Sequence, residues 1–272
     1  MQIAGKSVLI TGGGGGIWQG MALAFAEQGA KIILADINGD HAATVAAGLP
    51  AGTDVMVTAL DVTSLESWAA ARRLIEARHG LIDVLCNNAG ISSGFKPLTA
   101  IPPEAFNRII AINVTGVYNG VISFAEAMGA RGSGHIVNTS SMNGLMPHGS
   151  FAAYSASKFA VLGLSDALRQ ELAPRGVGVS TLFPGLTRSR MAETDLLKAV
   201  ADPQRAEAIR ASMMEPVWLG RAVVRAVAAN APYIITHPEY RDNVAARFQE
   251  ILAAFGEPAQ PGYSTGAFAT QP

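Results

Sequence analysis

The chain has 272 residues, of which 15% are charged, with a formal net charge of −1 and a single cysteine. A chain of this length buries a large core as one α/β unit and needs no second domain. The near-neutral balance, with no Lys/Arg cluster, excludes a surface built for nucleic acid or an anionic membrane.

In chain order, Ser7-Val8-Leu9-Ile10-Thr11 is a short apolar run suited to a buried parallel strand. The glycines Gly12 to Gly16 follow. Met21, Ala22, Phe25 and Ala26 then recur at helical spacing up to Gly29, a helix stop. Strand, glycine loop and helix make an anion-binding turn. Glycines let the backbone approach a phosphate, and the helix N-terminus supplies N–H groups and partial positive charge. A second strand over 31–36 puts Asp36 about twenty residues past the glycines, where an acid holds a ribose 2′-hydroxyl. A carboxylate there repels a 2′-phosphate, and no Arg or Lys follows closely, so the reading is NAD(H) rather than NADP(H). Asp36 also opens the turn Asp36-Ile37-Asn38-Gly39, and the two roles are compatible.

The strand–helix rhythm continues. Further strands are predicted at 54–59, 82–87, 135–140, 177–183 and 233–236. Helices are predicted at 64–79, 103–128 and 153–173, with shorter ones after Pro203 and Glu215. The fold class is α/β: a doubly wound parallel Rossmann sheet of order 3-2-1-4-5-6-7, with helices on both faces, in one domain over 1–255. Residues 256–272, rich in Pro, Gly, Ser and Thr, read as an irregular tail ordered by a neighbouring subunit. Cys86, in Val84-Leu85-Cys86, reads as a buried strand residue, and a reducing cytoplasm is the simplest location. A first strand beginning within ten residues of Met1 leaves no room for a signal peptide. No apolar run is expected to reach the roughly 18–20 residues that span a bilayer.

In the helix predicted at 153–173, Tyr154 and Lys158 stand at i and i+4, one turn apart on one face, with Ser141 thirteen residues before Tyr154. A nearby ammonium favours the phenolate form of a tyrosine. A phenol tuned that way accepts or gives a proton near neutral pH, as alcohol oxidation or carbonyl reduction requires.

With these features in place, the chain resembles a single-domain short-chain dehydrogenase/reductase over roughly residues 5–236. The family's Thr-Gly-x-x-x-Gly loop matches Thr11, Gly12 and Gly16, with Ile17 beside it. Its Asn-Asn-Ala-Gly signature matches Asn87-Asn88-Ala89-Gly90, and its helix asparagine matches Asn113. Its serine, tyrosine and lysine match Ser141, Tyr154 and Lys158. Its turn near the nicotinamide matches Pro184-Gly185, with Thr187 beyond it and Ser189 where threonine is usual. Asp61-Val62 fits the pair that contacts the adenine.

The resemblance implies a mechanism for the oxidative direction. Tyr154 takes the proton from a substrate hydroxyl while hydride leaves the same carbon for the nicotinamide. Ser141 holds the substrate oxygen, and Lys158 favours the tyrosinate and bonds the nicotinamide ribose. Asn113 shapes its helix to hold a water that leads protons from Lys158 to solvent.

One position departs from the family: Trp18 stands where a third glycine is usual. That glycine allows close packing near the cofactor, so the indole is expected to turn outward or to cover part of the pyrophosphate site. A weaker resemblance links the chain to bacterial benzylic-alcohol dehydrogenases that oxidise the Cα carbinol of lignin-derived β-aryl ethers. It rests on that aromatic and on Tyr233-Ile234-Ile235-Thr236-His237-Pro238-Glu239 with the helix beyond.

Met142, Leu145, Met146, Phe95, Phe151, Met213 and Met214 suit a hydrophobic or aromatic alcohol or ketone. Arg188 and Arg190 follow the Pro-Gly turn and are placed to meet cofactor phosphate, an acidic substrate or solvent. The histidines show no metal-ligand spacing. The helices predicted at 103–128 and 153–173 are apolar on more than one face, which points to a homo-oligomer; the family resemblance implies that these two helices pair between subunits, in a dimer or tetramer. The rival readings are an NADPH-dependent β-ketoacyl-type reductase, against which Asp36 argues, and a non-catalytic NAD(H)-sensing protein, against which Ser141, Tyr154 and Lys158 argue.

Overall fold

The structure, a computed structural model, describes residues 1–12, 16–92, 94–196, 200–257 and 259. Among the described residues, seven strands form one parallel sheet: β1 Ser7–Thr11, β2 Lys31–Asp36, β3 Val55–Ala59, β4 Val84–Asn87, β5 Gly134–Thr139, β6 Val177–Phe183 and β7 Tyr233–Ile235. The helices are α1 Gly16–Glu27, α2 Gly39–Ala47, α3 Leu65–His79, α4 Pro103–Ile110, α5 Gly116–Arg131, α6 Ala152–Leu172, α7 Pro203–Ser212, α8 Pro216–Ala229 and α9 Arg241–Ala253. The strands lie in the predicted order, β3-β2-β1-β4-β5-β6-β7. The sheet belongs to a compact unit, Met1–His237; α9 belongs to a second unit that starts at Pro238. Most of the tail expected over 256–272 lies outside the described residues, as do Gly13, Gly14 and Gly15.

Successive strand residues point to opposite faces, and in a doubly covered sheet both faces must be apolar. Val8, Ile10, Ile32 and Leu34 therefore pack in one core with Met21 and Phe25 of α1 and Leu219, Val223 and Val227 of α8. Their neighbours Leu9 and Ile33 pack in the other, with Trp68 and Ile75 of α3, Phe124 and Met128 of α5 and Leu168 of α6. Cys86 is fully buried in β4, and burial pushes its thiol well above the ordinary range.

Trp18 corrects the expectation drawn from its position. It neither turns outward nor covers the pyrophosphate site. The indole is fully buried in the α1 core, and its Nε1–H donates to Ile10 O at 3.1 Å. A buried indole needs a partner for its N–H, and the carbonyl of β1 supplies one. The close packing that a glycine would give has moved along the helix. A Cβ on Gly20 would overlap Pro216 O, and one on Gly220 would overlap Gly20 O, so α1 and α8 meet backbone to backbone.

The helix predicted at 103–128 is not uniform. A π-helical turn, Ala111–Thr115, separates α4 from α5. An 18-residue window within Pro103–Arg131 has a mean hydropathy of 1.3, so by length and composition alone this stretch could cross a membrane, contrary to the sequence-based expectation; half of that window is buried within the fold. Helix α2 was not predicted. Its N-cap is Asn38, whose Oδ1 accepts from the N–H groups of Asp40 and His41.

Candidate active site

The strands end at one edge of the sheet, and the order reverses between β1 and β4, where open α/β sheets hold ligands. Thr11 ends β1. Its Oγ1 accepts from the N–H groups of Asn88 at 3.1 Å and Ala89 at 3.3 Å. Asn88 Nδ2 donates to the carbonyls of Thr11 and Gly12, each at 3.2 Å. Gly12 is left-handed (φ 79°), and a Cβ there would overlap the Ala89 backbone. The Asn87-Asn88-Ala89-Gly90 segment thus clamps the start of the glycine loop.

Gly16 opens α1, and the first N–H groups of a helix lack partners within it. A Cβ on Gly16 would overlap Arg188 O, so the chain beyond Pro184-Gly185 lies against the helix start. Ile17 packs, partly buried, against the α1 core. Thr187 is buried and its Oγ1 donates to Gly185 O at 3.3 Å; Ser189 Oγ accepts from the Ala192 N–H at 3.2 Å. Arg188 pairs with Glu215 at 3.0 Å.

Asp36 is buried at the end of β2, where its Oδ1 accepts from the Asn38 N–H at 2.6 Å. The turn-opening role is therefore real, at the strand end where a ribose acid would stand. Asp61 Oδ1 accepts from the N–H of Thr63 at 2.9 Å and its hydroxyl at 2.7 Å. Val62 wedges against Gly116, and its carbonyl accepts from Trp68 Nε1 and Asn119 Nδ2, each at 3.0 Å.

Ser141 follows β5 and caps a 3-10 turn, Met142–Gly144; its Oγ accepts from the Asn143 N–H at 3.1 Å. Tyr154 and Lys158 lie one turn apart in α6, as predicted. Lys158 is 3% exposed. Its Nζ donates to Thr139 O at 2.8 Å and sits 5.4 Å from the centroid of the Tyr154 ring. Burial pushes the ammonium down to about 8, because a charged amine is costly to desolvate.

Asn113 sits in the π turn, fully buried. Its Oδ1 accepts from the Ile91 N–H, and its Nδ2 donates to Ile91 O at 2.9 Å and to Ser157 Oγ at 3.0 Å. Ser157 Oγ in turn donates to the carbonyl of Tyr154 at 2.7 Å. Gly90 lies between these groups: a Cβ there would sit 3.4 Å from Lys158 Nζ and 3.3 Å from Asn113 Oδ1.

An aromatic cluster extends from Tyr154. Its ring centroid is 6.3 Å from that of Phe151, which is 4.3 Å from Phe95 and 5.9 Å from His148.

Sequence reasoning passed over His237, which touches the site through the Pro-Gly turn. Gly185 N–H donates to its Nδ1 at 3.0 Å, and its Nε2 faces Leu186 O at 3.2 Å. Reading the histidines for metal-ligand spacing could not find a ring whose partner stands fifty-two residues earlier.

The family model of the short chain dehydrogenases matches residues 6–199. The probable oxidoreductase EphD of Mycobacterium tuberculosis is 40% identical over 189 residues, 69% of this chain; the chain spans only 32% of that protein's length. The C alpha-dehydrogenase of Sphingobium sp. is 33% identical over 256 residues, covering 89% of this chain and 84% of that protein. The crystal structure of a short chain dehydrogenase/reductase from Burkholderia phymatum in complex with NAD superposes with a TM-score of 0.83, at 28% identity, over 96% of this chain and 99% of that one. The matched span takes in β1 through Ser189, and with it each of the proposed catalytic positions. The chain belongs to the short-chain dehydrogenase/reductase family of oxidoreductases.

Proposed function

We propose that the protein is an NAD-dependent dehydrogenase or carbonyl reductase that interconverts a secondary alcohol and a ketone on a hydrophobic, aromatic substrate. The observation that carries this reading is the buried ammonium of Lys158, 5.4 Å from the Tyr154 ring, on the same edge of the sheet as Ser141.

The residues at that edge fit a dinucleotide. Gly12 presents a bare Cα in a left-handed turn, α1 begins just beyond, and the acid of β2 stands at the next strand end. Gly12, Gly16 and Ile17 would hold the pyrophosphate, Asp36 a ribose, and Asp61 and Val62 the adenine. Asn88, Ala89, Gly90, Pro184, Gly185, Thr187 and Ser189 would hold the nicotinamide half, with Tyr154 and Lys158. Asp36 favours NAD over NADP, because a carboxylate repels a 2′-phosphate. When bound, the nicotinamide supplies the hydride acceptor or donor.

The protein's own part is position and proton traffic. Ser141 donates to the substrate oxygen. Tyr154 takes the proton from that oxygen in oxidation and returns it in reduction. Lys158 lowers the cost of the tyrosinate by its charge. Asn113 ties Ile91 and the backbone of Tyr154 together beside Lys158, the side on which a water would pass protons to solvent. The Phe95, His148 and Phe151 rings beside Tyr154 support an aromatic substrate, which stacks edge-to-face on such walls. The likeness to the C alpha-dehydrogenase supports the same class. Exposed Tyr118 and Ile122 on α5, 51% and 43% accessible, support association between copies.

The test is titration with NADH and NADPH by nicotinamide fluorescence, followed by a scan of aromatic and aliphatic secondary alcohols at 340 nm. Tighter NADH binding and turnover of benzylic alcohols are expected. Preference for NADPH with turnover of acyl ketones would favour the β-ketoacyl reductase, and binding without turnover the sensor.

A further inference from the structure

The peptide unit that joins Pro184 to Gly185 is held from both sides. Its oxygen accepts from the N–H of Met142, the residue after Ser141, at 2.9 Å. Its N–H donates to His237 Nδ1 at 3.0 Å. Since Nδ1 is the acceptor, the ring proton must be on Nε2, which faces Leu186 O at 3.2 Å and donates to it. The other neutral tautomer would set Nδ1–H against the Gly185 N–H, and so would an imidazolium. Thr236 Oγ1 lies 2.8 Å from the same Nδ1, and with the ring proton on Nε2 its hydroxyl turns from the more distant Phe183 O, at 3.4 Å, to donate to that nitrogen. The imidazole is 6% exposed, and a Cβ on Gly185 would overlap it. The glycine leaves the space that the ring fills.

We propose that His237 is a positioning residue: its neutral imidazole fixes the plane of the Pro184–Gly185 peptide and, through the Met142 N–H, the backbone that carries Ser141. The effect on turnover rests on the proposed role of Ser141; the protonation state of the ring does not. The clamp holds two loops together, one from the end of β5 and one from the end of β6, by a side chain that follows β7. A shift of about 1 Å in a group that holds the reacting oxygen costs on the order of 10²-fold in rate.

Two substitutions separate positioning from packing. His237→Phe fills the space without an acceptor. His237→Asn places an amide oxygen near the Nδ1 position, where Gly185 N–H can still donate. The expected result is a kcat lower by about 10²-fold in H237F, recovery to within about threefold of wild type in H237N, and NADH affinity changed less than kcat in both. Equal kcat in all three proteins would overturn the proposal, and so would equal losses in both variants. Nitrogen-15 shifts of the wild-type ring decide the clamp without any turnover or folded variant. A neutral Nε2–H ring at pH 7 is expected, and an Nδ1–H ring or an imidazolium overturns it. A wild type inactive on every alcohol would count against the proposed function, while these shifts would still test the clamp.

Discussion

Asn113 and Ile91 are bound to each other twice, with the Ile91 N–H donating to Oδ1 at 2.8 Å and Nδ2 donating to the Ile91 carbonyl at 2.9 Å. A side-chain amide here takes the place of a neighbouring strand, closing the backbone of the loop after β4 where the sheet has ended. The π turn aims the amide inward, and such turns are frequent at functional sites. Asn113→Leu would leave the Ile91 N–H and carbonyl without these partners. Each orphaned group costs about 1–3 kcal/mol. We expect urea denaturation to show a loss of about 2–5 kcal/mol, together with a fall in kcat as Ser157 and Tyr154 lose their anchor. A variant as stable as wild type would show that water replaces the amide.

Tyr154→Phe removes the proton carrier and leaves the surrounding packing. General acid–base help is worth roughly 10²–10⁴-fold, so kcat should drop by that order while NADH affinity stays within about twofold. Stopped-flow turnover and fluorescence titration on one preparation check both halves. Near-normal turnover would mean that another group carries the proton.

Lys158 gives a prediction with a definite sign. Its folded pKa is about 8 and its reference value is 10.5. Between these pH values the unfolded chain holds a proton that the folded chain has released. Stability therefore rises with pH from about 8 to 10.5, by up to about 3 kcal/mol from this group, and the cost of the buried ammonium is fully present below pH 8. Lys158→Met lacks the term. The stability of wild type relative to K158M should climb across that window, and K158M should be nearly inactive. Parallel stability curves for the two proteins would contradict the burial of a titrating amine.

The parts of the fold and site that were readable from sequence are the local ones. The β1 run, the helical spacing from Met21 to Ala26 and the i, i+4 pair of Tyr154 and Lys158 each depend on residues a few positions apart, and each stands where predicted. Trp18 was misjudged because its destination, the carbonyl of Ile10 under α1, depends on how closely α8 packs, which Gly20 and Gly220 decide about two hundred residues apart. The π turn was hidden because an apolar stretch from Pro103 to Met128 has the same composition with or without one widened turn. His237 was hidden for a further reason: its role is set by a backbone N–H, which no side-chain pattern records.

Trp18→Phe separates structure from cofactor contact at the position where the family pattern breaks. It keeps most of the apolar volume and removes the Nε1–H bond to Ile10 O. Loss of one buried hydrogen bond and a small cavity should cost about 1–3 kcal/mol. Because the indole lies in the α1 core, NADH affinity should stay within about twofold. A large loss of affinity at unchanged stability would place the indole against the pyrophosphate after all.

His135 sets the acid side of the stability profile. The ring is 2% exposed in β5, its Nε2 lies 2.8 Å from Ser180 Oγ, and the Ser180 hydroxyl donates to Ala231 O. With its own proton directed at that carbonyl, Ser180 can only accept from the ring, so the neutral ring carries its hydrogen on Nε2. Burial pushes the imidazole down from 6.5 to about 4. Between pH 4 and 6.5 the unfolded chain binds a proton that the folded chain refuses. Stability is therefore fully present above pH 6.5 and declines as the pH falls toward 4, by about 3 kcal/mol from this residue. His135→Val should flatten that part of the profile and leave the slope above pH 8, which belongs to Lys158, unchanged. Chemical denaturation at half-unit steps from pH 4 to 7 reads the difference directly, and an acid limb equally steep in H135V would move the effect to another group.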